Sequence, residues 1–355
     1  MRLVNVNYVK EGSILARPIK NYLGQTLLGE DVVLTKAYIA KLKELGYDMI
    51  FIKDDRFKDI EMKFAISEKT MESAFQALRV MTSAIEANKE AEVDAEVVKN
   101  AVENIIKDLL HSTDILSNLS EMVGYDTYTY YHSINTTVIA LFIGIKRGLE
   151  QDSLLELGMG VLMHDIGKTK ISKELLNKKE ALNQEDFEEI KKHTIYGYEV
   201  IKRNHDFSLH SAHVSLQHHE KWQGGGYPRG LKGKDIHEFG RIAAVADVYE
   251  ALTSKRPYRD AMEPYLAYEY IVAQSGWQFD PEVVDAFVKS IAVYPTGIGV
   301  ELSNGMRGNV IRQNPDLPNR PVVRVIGKGD QEFGDYIDYD LAKHNSLMIT
   351  KVIYM

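Results

Sequence analysis

The sequence predicts a mainly α-helical protein, in which a helical bundle is flanked by a small N-terminal α+β module and a small β-rich C-terminal segment. Three observations predict this fold class. Short β-rich runs fill residues 1–62, a 3.6-residue apolar period holds from about Ser67 to Ser275, and prolines bracket β-rich runs after Tyr294. With 355 residues, of which 45% are hydrophobic, the chain is long enough for two or three domains.

The N-terminal module, residues 1–62, alternates short strands with turns around one helix. Ile14–Ile19 and Val32–Leu34 are β-rich runs. Thr35 is the expected N-cap of the helix, and Gly46 suits the position just after its end. Met49–Ile52 then predicts a strand.

Helical periodicity continues through a connector, residues 63–99, into a domain at residues 100–293. The acidic stretch Ala84–Glu96 has few large apolar residues and is either an exposed helical connector or the turn of a helix pair. Further helices are predicted at Ile134–Ile145, Leu154–Met163, Glu185–Lys202, His210–Trp222, Arg241–Leu252 and Tyr265–Ser275.

The C-terminal segment, residues 294–355, holds four of the nine prolines. Asn304-Gly305 lies between two β-rich runs and predicts a hairpin. Val322–Ile326 and Leu347–Ile353 are the further expected strands.

Composition excludes several classes of function. Because 51 acidic residues outnumber 43 basic ones and no basic block occurs, a long nucleic acid is not an expected partner. The chain has no cysteine, which excludes disulfides, iron-sulfur clusters and thiolate zinc sites, so that metal chemistry must use histidines and carboxylates. Since no signal-peptide pattern or bilayer-length apolar run is visible, we expect a soluble, cytoplasmic protein with no membrane segment.

Histidines and aspartates recur on successive predicted helices, spaced so that each helix pair can return one to the same interior point. Asp165 follows the apolar run Gly158–Met163 and Asp247 follows Ile242–Ala246, where an unpaired charge is expensive to bury. A metal ion that accepts imidazole and carboxylate ligands would offset that cost, and a buried Arg or Lys is the alternative. The candidate metal ligands are His132, His164, Asp165, His193, His218, His219 and Asp247.

Cations and a glycine-rich loop accompany these candidates. Lys168 follows a predicted helix end, where it either stabilises charge on a phosphate or complements the helix dipole. Gly226 and Tyr227 belong to a loop with three glycines that either binds a ligand or makes a tight turn over the tyrosine. Arg256 and Arg259 carry guanidinium groups that suit phosphate oxygens.

Three motif blocks together resemble the HD-GYP domain family. They are His164-Asp-Ile-Gly-Lys168, His218-His-Glu220 leading to Gly226-Tyr-Pro228, and Asp247-Val-Tyr-Glu-Ala-Leu-Thr253 leading to Arg259. The resemblance covers roughly residues 100–290. It implies a helical HD-type bundle and a metal-dependent phosphodiesterase that hydrolyses cyclic di-GMP to pGpG and, in many members, to GMP.

The resemblance also implies roles for single residues. Lys168, Arg256 and Arg259 would contact phosphate, and Gly226 and Tyr227 would shape the substrate pocket. A hydroxide shared by the metal ions would attack phosphorus, with Asp165 as the catalytic carboxylate and Lys168 or a water protonating the leaving oxygen. One metal would be held by His132, His164, Asp165 and Asp247, and the other by Asp165, His193, His218 and His219, so that Asp165 bridges them.

The resemblance further implies two divalent metal ions. Members with a third metal carry a glutamate where this sequence has Tyr128, and Asp126 would have to replace it. Iron or manganese is favoured over zinc for this mixed donor set. Arg259 stands where relatives often have lysine, which keeps the charge but changes its geometry.

Three other functions are compatible with this pattern. They are an HD-type phosphohydrolase acting on another nucleotide, a non-catalytic cyclic di-GMP receptor, and a di-iron oxygenase. The Gly-Tyr-Pro loop argues against the first, intact ligands against the second, and phosphate-suited cations against the third. A homodimer or a protein partner is possible through that loop or through the N-terminal module.

Overall fold

The computed structural model describes residues 1–20, 25–60, 64–87, 94–111, 128–178, 180–254, 261–314 and 317–353. The chain divides into two compact units. Met1–Phe64 and Ile291–Met355 belong to the first unit, and the helices between them form the second. The boundaries predicted after residues 62, 99 and 293 stay predictions, although the first and last predicted segments fall in one unit.

The described residues in the N-terminal part of the first unit form one α-helix and four short strands. Strand β1 pairs with β4, and β2 pairs with β3, both antiparallel. The Thr35 hydroxyl accepts the backbone N–H of Tyr38, and Gly46 has a φ of 80°, which confirms the predicted helix start and end. The elements are β1 (Arg2–Asn5), β2 (Ile19–Lys20), β3 (Thr26–Leu28), α1 (Lys36–Glu44) and β4 (Met49–Ile52).

The C-terminal part of the first unit is a five-stranded antiparallel sheet in the order β8-β7-β6-β5-β9. The predicted Asn304-Gly305 hairpin joins β5 to β6 and is confirmed. Strand β8 was not predicted from the sequence, because it is polar and largely exposed and so lacks the alternation of apolar and polar residues. The strands are β5 (Gly299–Leu302), β6 (Met306–Arg312), β7 (Val322–Lys328), β8 (Gln331–Asp340) and β9 (Ile349–Ile353).

A buried arginine ties the two parts of this unit together. The Arg324 guanidinium on β7 is 3% exposed and donates to the carboxylates of Asp59 and Asp338. It also donates to the backbone carbonyl of Arg56. A fork-shaped cation surrounded by these acceptors is fully hydrogen-bonded, which compensates for its burial.

The second unit is helical, as predicted. Ser67 caps the first of its helices by accepting the N–H of Thr70. Within the described ranges, none of the helices combines the length and apolarity needed to cross a bilayer. The helices are α2 (Glu68–Glu86), α3 (Ala95–His111), α4 (Tyr128–Lys146), α5 (Gln151–Leu162), α6 (Lys173–Leu176), α7 (Gln184–Lys191), α8 (His193–Arg203), α9 (Leu209–Gln217), α10 (Glu238–Thr253), α11 (Pro264–Ala273) and α12 (Pro281–Val288).

Two predicted helices were wrong in their extent. The helix predicted at Glu185–Lys202 is divided between α7 and α8, where the Thr194 hydroxyl donates to the Lys191 carbonyl and competes with the helical ladder. The helix predicted to reach Trp222 ends at Gln217, where the His218 imidazole donates to the carbonyls of Val214 and Ser215. Both corrections lie at candidate ligands.

Close packing of α3 against α5 depends on a residue without a side chain. A Cβ atom on Gly158 would lie 2.4 Å from a methyl carbon of Val102, which is fully buried. Such a distance is far below van der Waals contact, so glycine is required for the observed spacing of these helices.

We expect Gly158→Ala to lower the free energy of unfolding by about 1–3 kcal/mol through overpacking. Urea unfolding followed by far-UV circular dichroism measures this change. The double variant with Val102→Ala should be less destabilised than the sum of the two single variants, since the second change removes the colliding methyl group. Wild-type stability of Gly158→Ala would contradict the packing described.

Candidate metal centre

The second unit brings all seven predicted metal ligands together, and we refer to them as the histidine–aspartate cluster. Most of them lie at helix ends, where the chain changes direction. They are His132 within α4, His164 and Asp165 just after α5, His193 at the start of α8, His218 and His219 just after α9, and Asp247 within α10.

Small residues allow the ligand-bearing segments to approach. A Cβ atom on Gly167 would lie 1.9 Å from the carbonyl oxygen of His193, and one on Gly197 would lie 2.1 Å from the Ser215 hydroxyl oxygen. That hydroxyl donates to the carbonyl of His164 at 2.8 Å. The backbones of three ligand-bearing segments are therefore held at distances that no larger residue would permit.

Asp165 lies between two groups of histidines. Its Oδ2 atom is 3.7 Å from Nε2 of His132 and 3.5 Å from Nε2 of His164. Its Oδ1 atom is 3.5 Å from Nε2 of His193 and 3.9 Å from Nε2 of His218. Each carboxylate oxygen thus faces a different pair of imidazoles, an arrangement suited to a carboxylate shared by two cations.

Asp247 is the second carboxylate of the cluster. Its Oδ1 atom lies 3.2 Å from Nε2 of His132 and 3.9 Å from Nε2 of His164. Its Oδ2 atom lies 4.0 Å from Nδ1 of His219. Among the described residues, three overlapping groups could each hold a metal ion, because their ligand atoms lie within 4.8 Å of one another. They are His132, His164 and Asp247; His193, His218 and His219; and His164, Asp165 and His218.

Backbone carbonyls fix the orientation of three imidazoles. Nδ1 of His164 lies 2.7 Å from the Val161 carbonyl, and Nδ1 of His193 lies 2.7 Å from the Ile190 carbonyl. Nδ1 of His218 contacts the Ser215 carbonyl in the same way at 2.9 Å. Since a carbonyl only accepts, each Nδ1 carries the proton and each Nε2 lone pair faces the cluster.

The charge state of the cluster suits a bound cation. Burial lowers the pKa of His193, and it lowers the pKa of His219 to about 3, so both imidazoles are neutral near pH 7. Burial alone would raise the pKa of Asp165, but Lys168 and the nearby histidines hold it well below its usual range. Nε2 of His164 and Oδ1 of Asp165 are buried and have no hydrogen-bond partner among the described residues. A metal ion would satisfy such unpaired acceptor atoms by accepting their lone pairs.

Glu250 is a residue of the candidate site that the sequence pattern alone did not single out. It lies one turn after Asp247 on α10 and is 3% exposed. Its carboxylate accepts a short hydrogen bond from Nδ1 of His132 and another from the Ser254 hydroxyl at 2.6 Å. Glu250 therefore orients His132 as carbonyls orient the other imidazoles. Its spacing of three residues from Asp247 was the available signal.

The protonation state of His132 also depends on Glu250. Burial lowers the pKa of this imidazole, but the charges of Glu250 and Asp247 outweigh that effect and raise the pKa to about 10. Without a metal ion, a proton on His132 balances two buried carboxylates. A metal ion that binds Nε2 must displace one proton from this ring.

The glycine-rich loop is anchored by a buried glutamate. The Glu220 carboxylate accepts the backbone N–H groups of Arg229 and Leu231 at 2.8 and 2.9 Å. A Cβ atom on Gly226 would lie 2.5 Å from the Glu220 Cα atom, so the loop folds back on its own start only with glycine there. The Tyr227 ring then lies 4.7 Å from the ring of His219.

The cluster opens to solvent on one side. The Lys168 ammonium group pairs with Oδ2 of Asp165 at 2.5 Å, and the Lys168 side chain is 35% exposed. Of the seven predicted ligands, His219 has a side chain that is 26% exposed, whereas the other six are buried. Arg256, Arg259 and Asp126 lie outside the described residues, as does the side chain of Tyr128. The predicted contacts of Lys168, Gly226, Tyr227 and the arginines with a substrate stay predictions.

Known families and proteins resemble this chain. The HD domain family matches residues 102–283, and a KOW domain associated with HD domains matches residues 299–355. The chain is 37% identical to a cyclic di-GMP phosphodiesterase of Pseudomonas aeruginosa over 222 residues, which are 61% of this chain and 52% of that protein. It is 37% identical over 182 residues to a cyclic di-GMP phosphodiesterase of Thermotoga maritima, covering 51% of this chain and 49% of that one. It is 38% identical over 128 residues to a 3'3'-cGAMP-specific phosphodiesterase of Vibrio cholerae, covering 36% and 24%.

These alignments leave part of each relative unmatched. The chain spans about half the length of the two cyclic di-GMP phosphodiesterases. The HD domain match contains the whole histidine–aspartate cluster.

We expect Glu250→Gln to weaken metal binding about tenfold, because the neutral amide no longer holds His132 with a charged acceptor. Isothermal titration calorimetry of the metal-free protein with Mn²⁺ measures the Kd for the metal ion. Glu269→Gln on the exposed face of α11 is the matched control and should bind Mn²⁺ as the wild type does. If Glu250→Gln bound Mn²⁺ with the same affinity as the wild type, Glu250 would not have the assigned role of orienting His132.

Proposed function

The chain belongs to the HD domain family, as a member of its HD-GYP group, and from this premise we propose that it is a metal-dependent phosphodiesterase that hydrolyses cyclic di-GMP. One observation carries the proposal. Asp165 presents one oxygen to each of two histidine groups, and a lysine stands beside it on the open side of the cluster. Two adjacent cation sites with a neighbouring ammonium group suit the charge of a phosphodiester.

Two divalent metal ions are proposed as cofactors, with iron or manganese favoured by the mixed imidazole and carboxylate donors. One is assigned to His132, His164, Asp165 and Asp247, and the other to Asp165, His193, His218 and His219. When bound, such ions supply Lewis acidity and lower the pKa of a coordinated water toward neutrality.

The chain's own residues bind and orient the substrate in this proposal. Lys168 would neutralise a phosphate oxygen, and Lys168 or a water would protonate the leaving ribose oxygen. Arg256 and Arg259, which lie outside the described residues, are likewise assigned to phosphate contact. Gly226 keeps the loop folded, so that Tyr227 can line the pocket beside His219.

The proposal is tested with protein purified without oxygen and supplied with Mn²⁺ or Fe²⁺. Wild-type protein should convert cyclic di-GMP to pGpG or GMP, detected by chromatography. Asp165→Asn should lose about one metal ion per chain and nearly all turnover, because the carboxylate shared by both sites loses its charge. Tight binding without product would identify a receptor, and turnover of only another nucleotide, such as cyclic GMP-AMP, would overturn the assigned substrate.

We expect Lys168→Met to lower kcat about 100-fold while metal content is unchanged, since Lys168 acts on the phosphate and is not a ligand. Elemental analysis and steady-state kinetics on the same sample separate the two quantities. Lys234→Met, an exposed lysine outside the cluster, is the control and should keep wild-type kcat. Loss of metal together with activity would instead assign Lys168 to holding Asp165 in place.

A further inference from the structure

The open side of the cluster continues into a row of aromatic rings. His219 is the most exposed of the seven ligands, and its ring contacts Tyr227 at 4.7 Å. The Tyr227 ring in turn lies 6.2 Å from that of Phe187 on α7, at an interplanar angle of 78°. The three rings lead from a metal ligand outward to solvent.

Phe187 is an aromatic residue that lies on the outside of α7. Its side chain is 42% exposed, although phenylalanine is usually buried. It is not part of any motif of the family resemblance, and the proposed hydrolysis does not use it. An exposed ring next to the open side of a metal centre offers a surface on which a planar ligand can stack.

Lys191 completes this surface one turn further along α7. Its ammonium nitrogen lies 4.6 Å from the centre of the Phe187 ring and 5.5 Å from that of Tyr227. It also pairs with Glu188 at 2.7 Å, a largely exposed acid whose hold on the ammonium group is weak. Lys191 can therefore donate to a ligand that lies against the two rings.

We infer that Phe187, Lys191 and Tyr227 form a base-binding shelf, which takes one guanine base of a cyclic dinucleotide while its phosphate lies at the metal centre. The inference rests on the proposed function and adds a specificity site to it. The rings supply stacking surface, and the Lys191 ammonium donates to the acceptor edge that guanine presents through O6 and N7. Adenine replaces one of these acceptors with a donor, so the shelf favours guanine.

The decisive variant is Phe187→Leu, which keeps an apolar side chain and removes the ring. It should raise the KM and the Kd for cyclic di-GMP about tenfold. Hydrolysis of methyl p-nitrophenyl phosphate, a phosphodiester without a nucleobase, should be unchanged. Phe187→Trp keeps a stacking ring and should stay within about twofold of the wild type.

Lys191→Met tests the selectivity of the shelf. The ratio of kcat/KM for cyclic di-GMP to that for cyclic di-AMP should fall about tenfold, because the donor to the guanine acceptors is lost. Val272→Ala, which truncates an exposed apolar side chain on α11, is the control and should change neither the KM nor the ratio.

The outcomes separate this inference from the proposed function. If the wild type hydrolyses cyclic di-GMP and Phe187→Leu does so with the same KM, the base-binding shelf is overturned, whereas the proposed hydrolysis stands. If the wild type binds cyclic di-GMP without turnover, hydrolysis is overturned, and the Kd comparison still decides the shelf. Equal loss on cyclic di-GMP and on methyl p-nitrophenyl phosphate, or a lowered Tm, would assign Phe187 a structural role and overturn the shelf.

Discussion

The buried carboxylate of Asp165 is the constraint on which the helical second unit depends. An anion that is almost fully removed from water costs several kcal/mol unless cations or donors surround it. Here the surroundings are imidazole nitrogens on both oxygens and the ammonium group of Lys168. The same charge that is expensive to bury makes the site strongly attractive to metal ions.

The rest of the unit holds the ligands in one geometry. Gly167 and Gly197 let the backbones approach, and the Ser215 hydroxyl fixes their spacing. Carbonyl groups at helix ends, and Glu250 in the case of His132, set which ring nitrogen faces inward. Carbonyl groups in the last turn of a helix can accept hydrogen bonds from side chains. A histidine at a helix end is therefore oriented by the bond from its Nδ1 to such a carbonyl.

The buried and the exposed residues of the site have different roles. The buried imidazoles surround the charged carboxylates of Asp165 and Asp247, whereas Lys168, His219 and the base-binding shelf lie on the open side of the cluster. Groups that would act on phosphate lie between those that would hold metal and those that would hold a base. Phe187 and Lys191 lie on α7 outside the cluster, whereas Tyr227 contacts His219, so that selectivity can change at α7 without altering a proposed metal ligand.

The sequence by itself determined the family and the mainly helical fold, and these predictions are confirmed. It also named the seven side chains that the structure brings together, and their role as metal ligands stays a prediction. Apolar periodicity and residue chemistry are local, so they are readable without a structure. Only the tertiary structure showed that Glu250 lies behind His132, 118 residues away in sequence, that each oxygen of Asp165 faces a different histidine pair, and that Phe187 meets Tyr227. Those facts depend on contacts between distant segments, which no local pattern encodes. The polar strand β8 was missed for a related reason, since its pairing with β7 rather than its own pattern makes it a strand.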